Sequence, residues 1–188
     1  MSPVARFTTF RGRLTLRWTL AVGLLLGVAN VAVYAGARLY LHRWLDNNVR
    51  TLAATETASA TDGVATDVHL HEGPFGQLGS GAFTEKLVQI FDSDGRLVLQ
   101  STGHRSLPPL VSRAVLVEAF AGRAPIVWAE ADGHRVRVAI LTASREQRRY
   151  AVAVGLLADD IEAGLRDLAW LLAAVWGVSL TVSGAIGY

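Results

Sequence analysis

Two long apolar runs, 18–37 and 168–188, carry no charged residue and no histidine, and between them the pattern breaks into short alternating segments. Each run holds roughly 20 residues, the length a helix needs to cross about 30 Å of hydrocarbon. The first does not stop at its outer end. Leu41, Leu45, Val49 and Leu52 continue at helical spacing with Asp46, Asn47, Asn48 and Arg50 between them, which predicts an amphipathic helical extension over 38–61 that needs a partner helix. Asp62-Gly63 is the first clear stop, and 73–81 reads as a Gly-rich loop.

The middle of the chain reads as strands in antiparallel pairs. Lys86–Asp92 and Arg96–Ser101 flank the turn Ser93-Asp94-Gly95, and Ile126–Ala131 and Arg135–Thr142 flank Asp132-Gly133, so each predicts a hairpin. In the second hairpin Arg135 and Arg137 alternate with Val136, Val138 and Ile140, which predicts one wet face and one buried face. Between the hairpins, Pro108-Pro109 precede Leu110, Ala114, Val117 and Ala121, the expected buried face of a helix ending at Gly122. A last strand is predicted over Tyr150–Gly155. Asp159 and Asp160 then suit a helix N-terminus, where the dipole is positive. Ile161, Leu165, Leu168 and Leu172 carry that helix without a breaker from 158–167 into the second run; Gly164 costs about 1 kcal/mol relative to Ala.

The expected fold class is therefore α+β: a small antiparallel sheet over 86–156 with long helices, inside a segment 38–167 bracketed by two transmembrane helices. Charge orients it. Every Asp and Glu lies between Asp46 and Asp167, whereas 1–17 is purely basic, with Arg6, Arg11, Arg13 and Arg17. By the positive-inside tendency the N-terminus is cytoplasmic and 38–167 extracytoplasmic. A cleavable signal peptide is the rival reading of the first run, since Ala35-Gly36-Ala37 resembles a cleavage site, but the run exceeds a typical h-region of about 7 to 15 residues. The formal charge of +2 does not point to nucleic acid, because the front bases abut an apolar run and the middle has more acids than bases. With no cysteine there is neither disulfide nor thiol chemistry.

The strand-turn-strand Val88-Gln89-Ile90-Phe91-Asp92-Ser93-Asp94-Gly95-Arg96-Leu97-Val98, the exit Val152-Ala153-Val154-Gly155 before an amphipathic helix, and the two spans together resemble the input half of bacterial sensor histidine kinases. Chemoreceptors and membrane-bound cyclases with similar sensors share that texture. The resemblance implies a PAS-like periplasmic sensor in the bacterial inner membrane and a homodimer. It also implies a HAMP linker and a kinase part, which uses ATP and Mg and passes phosphate to a response regulator. Gly187-Tyr188 still lie in the second apolar run, so the expectation is a piece cut just before that cytoplasmic part. The phospho-accepting histidine and ATP-binding motifs have no counterpart here. A two-pass scaffold that recruits a partner without signalling is the alternative of another class.

Candidate chemistry is sparse. His69 and His71 with Glu72 read either as solvated loop histidines or as a metal or proton sensor, with His104 and His134 of unknown proximity. Arg135 and Arg137, with Arg145, Arg148 and Arg149, read as a solvated sheet face or as the site of an anionic ligand or lipid phosphate; Trp128 reads as core or as an aromatic platform. Gly23 and Gly27 in the first span, and Ala173 and Gly177 in the second, have the small-residue spacing of close helix packing, with Asn30 able to bond across. No phosphate-cradling loop or nucleophile-base arrangement emerges, and the chain is expected to need no cofactor and not to be an enzyme.

Overall fold

The computed structural model describes residues 10–62, 86–101, 107–145 and 147–186. They form α1 (Phe10–Asp62), β1 (Lys86–Phe91), β2 (Leu97–Gln100), α2 (Arg113–Phe120), β3 (Ile126–Ala131), β4 (His134–Arg145), β5 (Arg148–Leu157) and α3 (Asp159–Ile186). Two compact units result: one is α1 up to Tyr40 with α3 from Glu162, the other Leu41–Ile161. The protein is α+β, and α1 and α3 are both long and apolar enough to cross a membrane, over Gly12–Ser59 and Asp159–Ala185.

In the second unit the strands form one antiparallel sheet in the order β2-β1-β5-β4-β3, so the first and last strands are neighbours at its centre. Local chemistry sets both hairpins. Asp132 and Gly133 both have positive φ, 51° and 80°, the mirror-image turn whose twist matches paired strands. At the other turn the Asp92 carboxylate accepts from the backbone N–H of Asp94 (3.0 Å) and of Arg96 (2.7 Å), and Gly95 supplies the positive φ.

The sheet is covered on both faces. Leu87, Phe91, Val136, Val138, Ile140, Ala151 and Ala153 point to one side, where they bury Leu116 and Ala119 of α2 and Leu107, Leu110 and Val111 of the preceding segment. Val88, Ile90, Ala139, Val152 and Val154 point to the other and bury Val49 and Ala53 of α1. The expectation of a partner helix is thereby corrected: the apolar stripe of the extension is buried on the sheet. This corrects the expectation of a wet face: Arg135 and Arg137 share their side of β4 with Ala139, and α1 crosses that side. Ion pairs bracket the crossing, Asp46 with Arg137 over β4 and Glu56 with Lys86 (2.5 Å) at β1.

The face of α2 is also corrected. Val117 is 62% exposed and Ala114 is exposed, while Leu116 and Ala119 are buried. The helix is two turns long, Leu110 lies outside it, and the stripe carrying Leu116, flanked by Val115 and Phe120, offers the sheet more apolar area than one of Ala114, Val117 and Ala121. Gly122, with φ +86°, follows the helix end as expected.

Candidate functional site

Two constellations lie on the β3–β4 hairpin and the elements it touches. The first is built around Trp128, which faces Arg137 across the ladder. The guanidinium of Arg135 stands 4.6 Å from the Trp128 ring centroid and that of Arg137 stands 4.8 Å, both within cation–π range. His42 of α1 meets the same ring edge-on at 6.2 Å. Arg137 Nε and Nη2 donate to Asp46 Oδ1 and Oδ2 at 2.7 and 3.2 Å, a fork that fixes α1 on the strand. Trp128 is 38% exposed, so it is not a core residue; at an edge strand its ring is covered by cations in place of aliphatic side chains.

The second constellation joins the sheet to α3. Ala158 N–H donates to Arg135 O at 2.8 Å, the Asp159 carboxylate accepts from Arg135 N–H at 3.1 Å, and its other oxygen pairs with His134 Nδ1. The first residue of α3 is thereby clasped to the first two residues of β4. The hydrogen bond from His134, then that from the Arg135 backbone, hold the Asp159 carboxyl below its ordinary value of 3.8. A carboxyl depressed in the folded state contributes stability that is complete above its unfolded value and is lost as pH falls through the folded one. Thermal melts at pH 7 and pH 3 should therefore show a smaller acid-induced drop for Asp159→Asn than for the parent chain. Equal drops would show that the clasp does not hold in solution.

The remaining candidates separate. Arg145 pairs with Arg148 at the far end of β4, ten residues and roughly 30 Å of strand from Arg135. Arg149 donates to Phe120 O at 2.5 Å and so closes the end of α2. The basic stretch is thus two groups at opposite ends of the sheet, and only Arg135 and Arg137 meet Trp128. His69, His71, Glu72 and His104 lie outside the described residues. Among the described residues no group of three or more metal-ligating side chains occurs.

In the first unit, Gly23, Gly27 and Asn30 of α1 face α3 of the same chain. Asn30 Nδ2 donates to Leu172 O (3.1 Å), Trp176 Nε1 donates to Gly23 O (2.9 Å), and a Cβ on Gly23 would stand 2.7 Å from Leu180 Cδ2. Ala173 is exposed and nothing lies within 4 Å of a Cβ built on Gly177, so this pair does not share that contact.

Asp46, His42 and Asp159 are the residues that sequence reasoning missed. Asp46 and Asp159 had ordinary explanations, a polar helix face and a helix start, and no local pattern links Asp46 to Arg137. Comparison with protein-family models, curated proteins and solved structures found no match.

Proposed function

We propose that this chain is the stimulus-sensing and signal-transmitting part of a bacterial membrane sensor histidine kinase. In this reading residues 18–37 and 168–188 cross the inner membrane, 38–167 form a PAS-like periplasmic sensor, and the chain works as a homodimer. ATP, Mg and the response regulator belong to a kinase part beyond these residues.

The observation that carries the reading is the clasp. β5 passes through one residue, Ala158, into α3, and the start of α3 is bonded to the β3–β4 hairpin. A change in the sheet that moves the hairpin therefore moves the helix that continues into the second apolar run. Coupling of about 1 to 3 kcal/mol between such states is enough for a signal. The sheet with helices on both faces suits a PAS-like sensor, and Arg13 and Arg17 before the first run suit a cytoplasmic N-terminus. An input region of a chemoreceptor or cyclase would differ in output, and in a scaffold the clasp would serve stability alone.

The absence of cysteine makes the topology directly testable. Asp94→Cys, in an exposed turn, should react with a membrane-impermeant maleimide in intact cells, and Arg13→Cys only after permeabilisation; the reverse pattern overturns the topology. For output, the chain fused to the cytoplasmic half of a sensor kinase should show altered autophosphorylation when His134→Ala and Asp159→Ala are combined. Unaltered output at equal expression would count against transmission through α3.

A further inference from the structure

His134 stands where a change of charge is felt at the joint between sheet and helix. It opens β4 directly after the Asp132-Gly133 turn, and its ring Nδ1 pairs with one oxygen of Asp159 while the other oxygen takes the Arg135 N–H. Both side chains are open to water, at 58% and 41% exposure, so protons exchange freely with the pair. Histidine is the side chain whose charge ordinarily changes between pH 5 and 8. Asp159 stays ionised over that range, because the bond from His134 first, and the Arg135 N–H second, hold its carboxyl below the ordinary 3.8. The ring alone therefore decides whether the pair is ionic.

The surroundings favour a charged ring. Asp132 lies in the turn before it, Glu130 stands across the ladder from Arg135, and Asp160 and Glu162 follow Asp159 in the first turn of α3. The nearby cations are Arg135, whose guanidinium lies on Trp128, and Arg137, which is forked to Asp46. Protonated, the ring makes a charge-assisted hydrogen bond to the carboxylate; neutral, it makes an ordinary one of about half the strength. A group that gains its partner in the charged form adds stability at low pH and loses it as the pH rises through its titration.

We propose that the joint is a proton-responsive switch: protonation of His134 tightens the clasp on Asp159, and loss of that proton leaves the start of α3 held chiefly by its bonds to the Arg135 backbone. The tight state is the acid one. Acidity around the sheet is then a stimulus of the chain, a step that rests on the sensor reading above.

The test follows the amide protons of Ala158 and Arg135, the donors of those backbone bonds, by hydrogen exchange of the full chain in bilayers. Each rate is divided by the intrinsic rate at the same pH and compared with that of Val138, in the middle of β4. Protection of the two amides should be about twofold to fivefold higher at pH 5 than at pH 8, the range for an exposed ion pair. In His134→Gln, which keeps an amide donor but does not titrate, the difference should vanish, and likewise in Asp159→Asn. Equal protection at both pH values in the parent chain overturns the proposal. So does a difference that persists in His134→Gln, since another group, such as His42 beside Trp128, would then carry it. Output is read separately, in cells carrying the kinase fusion, with the outer medium shifted between pH 5 and pH 8; autophosphorylation should respond in the parent and not in His134→Gln. A step in protection with output that ignores the outer pH would sustain the switch and overturn the sensor reading, so the two failures are distinguishable.

Discussion

Replacing Val49 with aspartate is expected to lift α1 from the sheet and destabilise the unit by about 3–5 kcal/mol, the range for a buried charge left without a partner. Val49 is fully buried among Val88, Ile90, Ala139, Val152 and Val154. The cations at hand are already used, since Arg137 is forked to Asp46 and Lys86 is paired with Glu56. Against a typical domain stability of about 5–15 kcal/mol the loss is large. Val49→Ala removes two methyl groups without adding charge and should cost about 1.5–3 kcal/mol, transfer and cavity together. Denaturant unfolding of the parent and both variants checks the order. If Val49→Asp unfolds at the parent's midpoint, α1 does not pack on the sheet in solution, and that layer of the fold is lost.

That layer shows where sequence reading reaches its limit. Leu45, Val49 and Leu52 announce a buried stripe, but a partner helix and a sheet ask for the same spacing, so the stripe alone does not name its partner. The strand does hold a clue. Arg135 and Arg137 are followed on the same side of β4 by Ala139 and Leu141, and that change from polar to apolar is where α1's cover begins. Both hairpins were legible because Asp-Gly turns act locally, through the positive φ of Gly95, Asp132 and Gly133. The face of α2 was not, because two apolar stripes compete on two turns and tertiary contact selects between them.

The candidate site divides in the same way. Trp128, Arg135 and Arg137 were recoverable because alternation along paired strands brings their side chains to one face. Asp46 lies 91 residues from Arg137, and His134 and Asp159 are 25 apart, so those pairs exist only once the sheet and both helices are assembled. Residues whose role is to join elements are the ones that local patterns explain in some simpler way. Asp159 is a good helix-start residue, and the fold uses it to grip a hairpin.

Gln89 carries the second large effect. Its side chain is 1% exposed on β1, where Oε1 accepts from Leu110 N–H at 2.8 Å and Nε2 donates to Pro108 O at 3.1 Å. These two bonds hold the segment that brings Leu107, Leu110 and Val111 onto the sheet. Gln89→Leu leaves the buried Leu110 N–H without an acceptor and should cost about 1–3 kcal/mol. Gln89→Glu sharpens the case. A carboxylate there still accepts from Leu110 but cannot donate to Pro108 and carries a buried charge, so about 3–5 kcal/mol should be lost at pH 7.5. Burial raises the pKa of such a group above its unfolded value of about 4.3. Lowering the pH through the raised value restores a proton that can be donated to Pro108 O, so the deficit relative to the parent should shrink between pH 7.5 and pH 5. Denaturant midpoints at the two pH values measure it. A deficit for Gln89→Glu that does not change with pH would mean that residue 89 is not enclosed as the structure has it, and the 107–111 segment would need another anchor.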